Sequence, residues 1–116
     1  MLKKDLRQDI YSREEVLTNK IYKGLPVYRK LFTGKAKEPS IKLANNEFAI
    51  NAGGFIKSQY SQYWIFGGTF FQEGYTTSLR IENDRHTVST YTGDYYNDSS
   101  YYEIWVEYTK EDWLNI

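Results

Sequence analysis

Apolar and polar residues alternate with a period of two through much of this chain. The clearest run lies near its end. Tyr102, Ile104, Val106 and Tyr108 fall on one side there, and Tyr101, Glu103, Trp105, Glu107 and Thr109 on the other. Such a period marks a strand, because successive side chains leave opposite faces. Tyr75, Thr77, Leu79 and Ile81 alternate likewise with Thr76, Ser78, Arg80 and Glu82. A run from Phe48 sets Ile50, Ala52, Gly54 and Ile56 against Glu47, Asn51 and Lys57. Shorter runs stand at 20–22, 27–32, 41–43, 63–66 and 86–91, separated by turn chemistry such as Lys23-Gly24-Leu25-Pro26 and Asn83-Asp84-Arg85. About seven or eight short strands at roughly ten-residue spacing predict an all-β antiparallel sandwich.

Helical signals are confined to the N-terminal part. Ser12 and Glu15 match a capping box, which predicts one helical turn before the first strand. Leu2, Leu6 and Ile10 share a face at helical spacing, so residues 1–10 are expected as an arm on a single domain spanning 11–116. Gly53-Gly54 and Gly67-Gly68 predict bulges or close backbone approaches rather than phosphate cradles, since neither pair opens a helix. Residues 33–40 and 92–100 read as loops.

Charge and composition narrow the function classes. The 116 residues carry 15 Lys and Arg against 15 Asp and Glu, a formal net charge of +0. That balance argues against nucleic acid as a partner, which draws on a basic excess. Cysteine is absent, which removes disulfides and thiolate chemistry. The first ten residues interleave Lys and Asp with Leu, unlike a signal peptide, and no apolar run approaches the roughly 18 residues of a span, so membrane insertion is not expected.

Catalytic and metal chemistry find little support. His86 is the one histidine, and no acid and nucleophile at assignable spacing accompany it. Glu103 and Glu107 read as a solvated strand face, and Asp94 with Asp98 as a surface loop without EF-hand spacing. No catalytic residue, metal site or cofactor is expected.

Aromatic residues make up 18% of the chain, with 12 Tyr, 6 Phe and 3 Trp. Asp94, Tyr95, Tyr96, Asn97, Asp98 and Tyr101 together suit a sugar-binding surface, with rings for the apolar face of a pyranose and short polar groups for its hydroxyls. The same residues suit packing between subunits or cover for a sheet end. Tyr28, Phe32, Trp64 and Trp105 are candidate oligomer contacts, being bulky residues on strand faces expected to point away from a single core.

Three segments carry a family resemblance. Tyr11-Ser12 with Glu14-Glu15, then Gly24 with Pro26-Val27-Tyr28-Arg29-Lys30, and finally Val106-Glu107-Tyr108-Thr109-Lys110 resemble the C-terminal domain of bacteriophage and prophage tail-fibre, head-fibre and related appendage proteins. The resemblance spans about residues 11 to 110, specific at its ends and compositional in its middle. Lys23 stands where the family pattern has a turn aspartate. The resemblance implies a non-enzymatic virion component assembled in the host cytoplasm, often a homotrimer, which contacts other virion proteins and, at the exposed end of a fibre, a host-surface glycan. It transfers no ligand residues. A capping or trimerisation domain without a ligand, and a standalone carbohydrate-binding module, are the competing expectations.

Overall fold

The computed structural model describes residues 11–66 and 77–116. The arm expected over residues 1–10, and the readings at Gly67-Gly68, 69–71 and Tyr75, lie outside them. The described residues form eight strands: β1 (Val16–Tyr22), β2 (Leu25–Lys35), β3 (Ser40–Lys42), β4 (Phe48–Lys57), β5 (Tyr63–Ile65), β6 (Thr77–Ile81), β7 (Thr87–Thr92) and β8 (Tyr101–Thr109). They build two antiparallel sheets, β1-β2-β8-β4-β5 and β3-β7-β6. The all-β sandwich read from the alternation is what the chain forms.

One core lies between the sheets. Ala49, Ile56, Ile104, Val106 and Tyr108 project from the larger sheet against Ile41 and Val88 of the smaller, with Leu43, Phe66 and Tyr96 closing the ends. Ala49 pairs with Tyr108, Ala52 with Val106 and Ile56 with Tyr102, so the register puts the apolar set on one face. The alternation expected from Phe48 breaks at its start. The register shifts between Ala49 and Asn51, making Ile50 the extra residue of a β-bulge, and Ala49 rather than Phe48 or Ile50 faces the core.

Local chemistry fixes the turns. Lys23 and Gly24 both have positive φ, 51° and 80°, and Tyr22 pairs with Leu25 across them. This is a two-residue hairpin of the primed type, so Leu25 and Pro26 already belong to β2. Asp84 closes the β6–β7 turn by accepting from the amides of His86 and Thr87 and the Thr87 hydroxyl. His86 is spent on structure: Nδ1 lies 2.8 Å from the Glu47 carbonyl oxygen, and the ring packs on Phe48.

The expected capping box does not form a helix. Residue Ser12 caps a turn through the Glu14 amide, and its carbonyl accepts from Leu31 N, carrying the chain alongside β2 as an extended segment. Glu15 reaches the Tyr108 hydroxyl and Lys110 instead of a helix amide. Pairing with the edge of β2 outweighs a single isolated turn, whose nucleation is costly.

The second face of the larger sheet is covered as well, which the sequence reading did not anticipate. Glu107, expected on a solvated face, is 1% exposed. It accepts from Arg29 Nη2 on β2, from Lys20 Nζ at 3.0 Å and from Asn51 Nδ2 at 3.2 Å. Lys20 reaches it because β1 is irregular between Leu17 and Ile21. Trp105 lies beside Arg29 on that face, with the Tyr11 ring over both. The three segments that carried the resemblance thus sit on adjacent strands and hold one another.

A pH dependence follows from these carboxylates. Burial alone would raise Glu107, but hydrogen bonds from Lys20, Asn51 and Arg29 outweigh it and hold the carboxyl below its ordinary 4.5. Burial likewise opposes, and the Lys110 and Tyr108 hydrogen bonds outweigh, the same lowering at Glu15. Groups with depressed folded values contribute stability above the unfolded value and lose it as pH falls through the folded one. The domain is therefore expected to keep its thermal midpoint from neutrality to about pH 5 and to lose it progressively below 4.5. Glu107→Gln should flatten that decline; a midpoint independent of pH between 5 and 3 would contradict the assignment.

Candidate functional site

One end of the larger sheet carries an open polar cup. Register pairs Lys35 of β2 with Tyr101 of β8, Tyr101 with Lys57 of β4, and Lys57 with Tyr63 of β5, a row across four strands. Paired residues in a ladder share a face, so the four side chains stand side by side. The Lys57 ammonium lies 5.6 Å from the centre of the Tyr63 ring. Ser58, Gln59 and Ser61 from the β4–β5 turn, and Asn97 and Ser99 from the β7–β8 loop, complete the lining with Lys35, Lys57 and Tyr101, around a hollow of about 450 Å³.

Both loops are braced, so the cup is preformed. The buried Ser58 accepts from the Tyr60 and Gln62 amides at 3.2 and 3.3 Å, while Ser58 N donates to the Gln62 carbonyl at 2.7 Å. Ser61 takes the positive φ that this tight turn needs, 65°. Across the cup, Asn97 Oδ1 accepts from Ser99 N, and the Ser100 hydroxyl accepts from Asn97 N. The loops are tied together where Gln59 Nε2 donates to the Tyr95 carbonyl and the Tyr95 hydroxyl donates to Gln62. Tyr101 donates to Glu103 Oε2 at 3.0 Å; burial, then that carboxylate, raises its phenol above the ordinary 10.0.

The structure divides the six residues expected to bind ligand. Asn97 and Tyr101 line the cup. Tyr96 does not: at 2% exposure it is a core residue, and its burial pushes the phenol up to about 12. The loop turns its ring inward because that end of the core needs an apolar plug between the sheets. Tyr95 is half-buried beside Trp64, Tyr60 and Tyr96 and braces the loops. Asp94 and Asp98 are exposed and lie outside the lining, Asp94 facing Lys37 at 3.7 Å. Among the described residues, no group of three His, Asp or Glu could hold a metal ion.

Within their own chain, the four candidate oligomer residues have partial cover. Tyr28 stacks on Tyr108 beneath Lys110. Phe32 and Trp64 pack against the core, and Trp105 lies between Tyr11 and Gly53. Among the described residues the most exposed apolar side chains stand elsewhere, with Ile21 on β1 and Ile65 on β5 at 74% each.

Sequence reasoning missed Lys35, Lys57 and the turn serines. It ended β2 at Phe32 and placed Lys35 in a loop, although the outward set Arg29, Leu31, Thr33, Lys35 continues the alternation. A second hollow of about 310 Å³ lies between Tyr22, Ile50, Ile81 and Trp113. Its charges are already used, Arg85 by Asp112 and Glu82 by Arg80, so it offers less to a polar ligand.

Comparison with family models, curated proteins and solved structures yields no match.

Proposed function

We propose that this chain is a non-enzymatic appendage domain of a bacteriophage or prophage virion, a fibre module whose loop end attaches to a glycan on the host surface. The observation that carries this reading is the braced, solvent-open cup. It sets hydroxyl and amide groups beside exposed aromatic rings, with Tyr60 at 65% and Tyr63 at 62% exposure. Rings suit the apolar faces of sugars, and short polar groups suit their hydroxyls. The motif segments support the same reading from the other side, being taken up by the framework and leaving the loops free to vary.

The mechanism is avidity. A shallow cup of this size gives a weak single site, and repetition within a homotrimer and across many fibres gives firm attachment. Light scattering tests the assembly: the proposal expects a mass near three times the 13.8 kDa chain. A monomer would favour a standalone carbohydrate-binding module.

Attachment is tested with labelled domain on a panel of intact bacterial envelopes. Tyr63→Ala combined with Asn97→Ala should weaken binding about tenfold per site, from a lost ring contact and a lost hydrogen bond. Leu114→Ala, at the second hollow, should leave it unchanged. Equal binding by the cup variant and the parent would overturn the reading in favour of a capping domain without ligand.

A further inference from the structure

Resting on that attachment reading, we infer that the cup selects an anionic glycan, a polyhydroxylated chain carrying repeated phosphate or carboxylate groups, with Lys35 and Lys57 as its charge-reading residues. Three features of the cup point there together. The first is charge that the protein leaves uncompensated. Lys20, Arg29, Lys37, Arg80, Arg85 and Lys110 each stand within ion-pair distance of a carboxylate. Among the described residues Lys35 and Lys57 do not, as Arg13, Lys23, Lys30 and Lys42 do not, but these two lysines stand together in the cup, and no Asp or Glu lines it. Glu103, two residues along β8, is the carboxylate beside the row, and the Tyr101 hydroxyl donates to it. In a chain whose charges sum to +0, the lining itself thus holds two lysines and no carboxylate, with Glu103 and the exposed Asp98 outside it.

The second feature is spacing. Lys35 and Lys57 flank Tyr101 from the two neighbouring strands, so their backbones stand about 10 Å apart at two strand spacings. A chain with repeated charges can engage both ammoniums at once, while a single small anion engages one. The third is the neutral remainder of the lining: Ser58, Gln59, Ser61, Asn97 and Ser99 offer donors and acceptors for hydroxyls. Hydroxyl-reading groups between two cations describe an acidic glycan better than a nucleic acid strand, which needs a longer basic track.

Calorimetric titration of the full chain tests this with four probes: poly(glycerol phosphate), oligogalacturonate, cellohexaose as the neutral control, and a thymidine oligonucleotide. At low salt, at least one of the two anionic polymers should bind ten times or more tighter than cellohexaose, and which one does identifies the charged group. Lys35→Gln with Lys57→Gln should lower that affinity about tenfold, the sum of two solvent-exposed charge-assisted contacts, with an unchanged thermal midpoint. Rising salt should weaken binding of the parent more than of this variant. Equal affinity for cellohexaose and the anionic polymers, an unaffected double variant, or failure of both polymers at millimolar concentration would overturn the inference. So would tighter binding of the oligonucleotide. Envelope binding that persists in the lysine variant but falls in Tyr63→Ala with Asn97→Ala would remove the charge preference and leave the attachment reading standing.

Discussion

Replacing Gly54 by alanine is expected to destabilise the domain by about 3 kcal/mol or more, a combination of backbone strain and overpacking against a rigid neighbour. Gly54 holds φ at +136°, a region L side chains rarely adopt. A Cβ there would also overlap the carbonyl oxygen of Glu103 on β8. That oxygen belongs to the central strand of the larger sheet and has no room to retreat without breaking the β4–β8 ladder. Gly53 provides the contrast. Its added Cβ would come within 2.5 Å of Trp105 Cζ2, but an indole can rotate away where a backbone cannot. Gly53→Ala should therefore cost less, about 1–2 kcal/mol, and shift tryptophan fluorescence as the ring moves. Thermal unfolding followed by circular dichroism checks both, with a fall of roughly 10 °C or more expected for Gly54→Ala. A fall for Gly54→Ala no larger than that for Gly53→Ala would contradict the close approach of β4 and β8.

Removing the Glu107 carboxylate should cost about 3–5 kcal/mol, because it takes an acceptor and an opposite charge away from the buried Arg29 guanidinium. Arg29 is 8% exposed and lies against the Tyr11 and Trp105 rings, which hold its side chain in place. With Glu107→Ala its charge keeps the desolvation cost and loses this carboxylate, while Asn51 and Lys20 lose an acceptor. The prediction concerns breaking the pair, not its net worth. Replacing both partners, Arg29→Met with Glu107→Leu, should recover most of the loss, since apolar pairs often substitute for buried ionic ones. Chemical denaturation of the two single variants and the double closes the cycle. A Glu107→Ala cost below about 1 kcal/mol would place the carboxylate in water rather than in a covered second face.

What was legible in the sequence was whatever depends on neighbours along the chain. The alternation of β8 and β6 and the Asp84 turn are local signals, and each appears where its residues predict it; the hairpin at Gly24 is local too, but tighter than the expected Lys23-Gly24-Leu25-Pro26, since Leu25 and Pro26 already pair with β1. Non-local decisions were not legible. Glu107 alternates into the polar set of β8, and only the position of β8 between β2 and β4, with residues 11–15 and β1 alongside, makes that set a second interior. Ile50 alternates into the core set until the bulge removes it. Ser12 and Glu15 fit a helix cap, but the edge of β2 offered the same backbone a longer partner. At the site, Asn97 and Tyr101 were recognisable as polar and aromatic groups in one loop region. The pairing of Tyr101 with Lys35 and Lys57 required the strand order, which no stretch of sequence records. Tyr96 looks like its neighbour Tyr95 in the sequence; which ring fills the end of the core depends on the loop's path.

The cup at Lys35, Lys57, Asn97, Ser99 and Tyr101 is proposed as the surface that grips the host. Amide chemical-shift mapping during titration with polysaccharide extracted from envelopes that bind the domain addresses it directly. Shifts should concentrate at residues 57–63 and 97–101 and at Lys35, saturating together, with residues around Trp113 unmoved. Shifts centred on Tyr22, Ile81 and Trp113, or none at the cup, would contradict it.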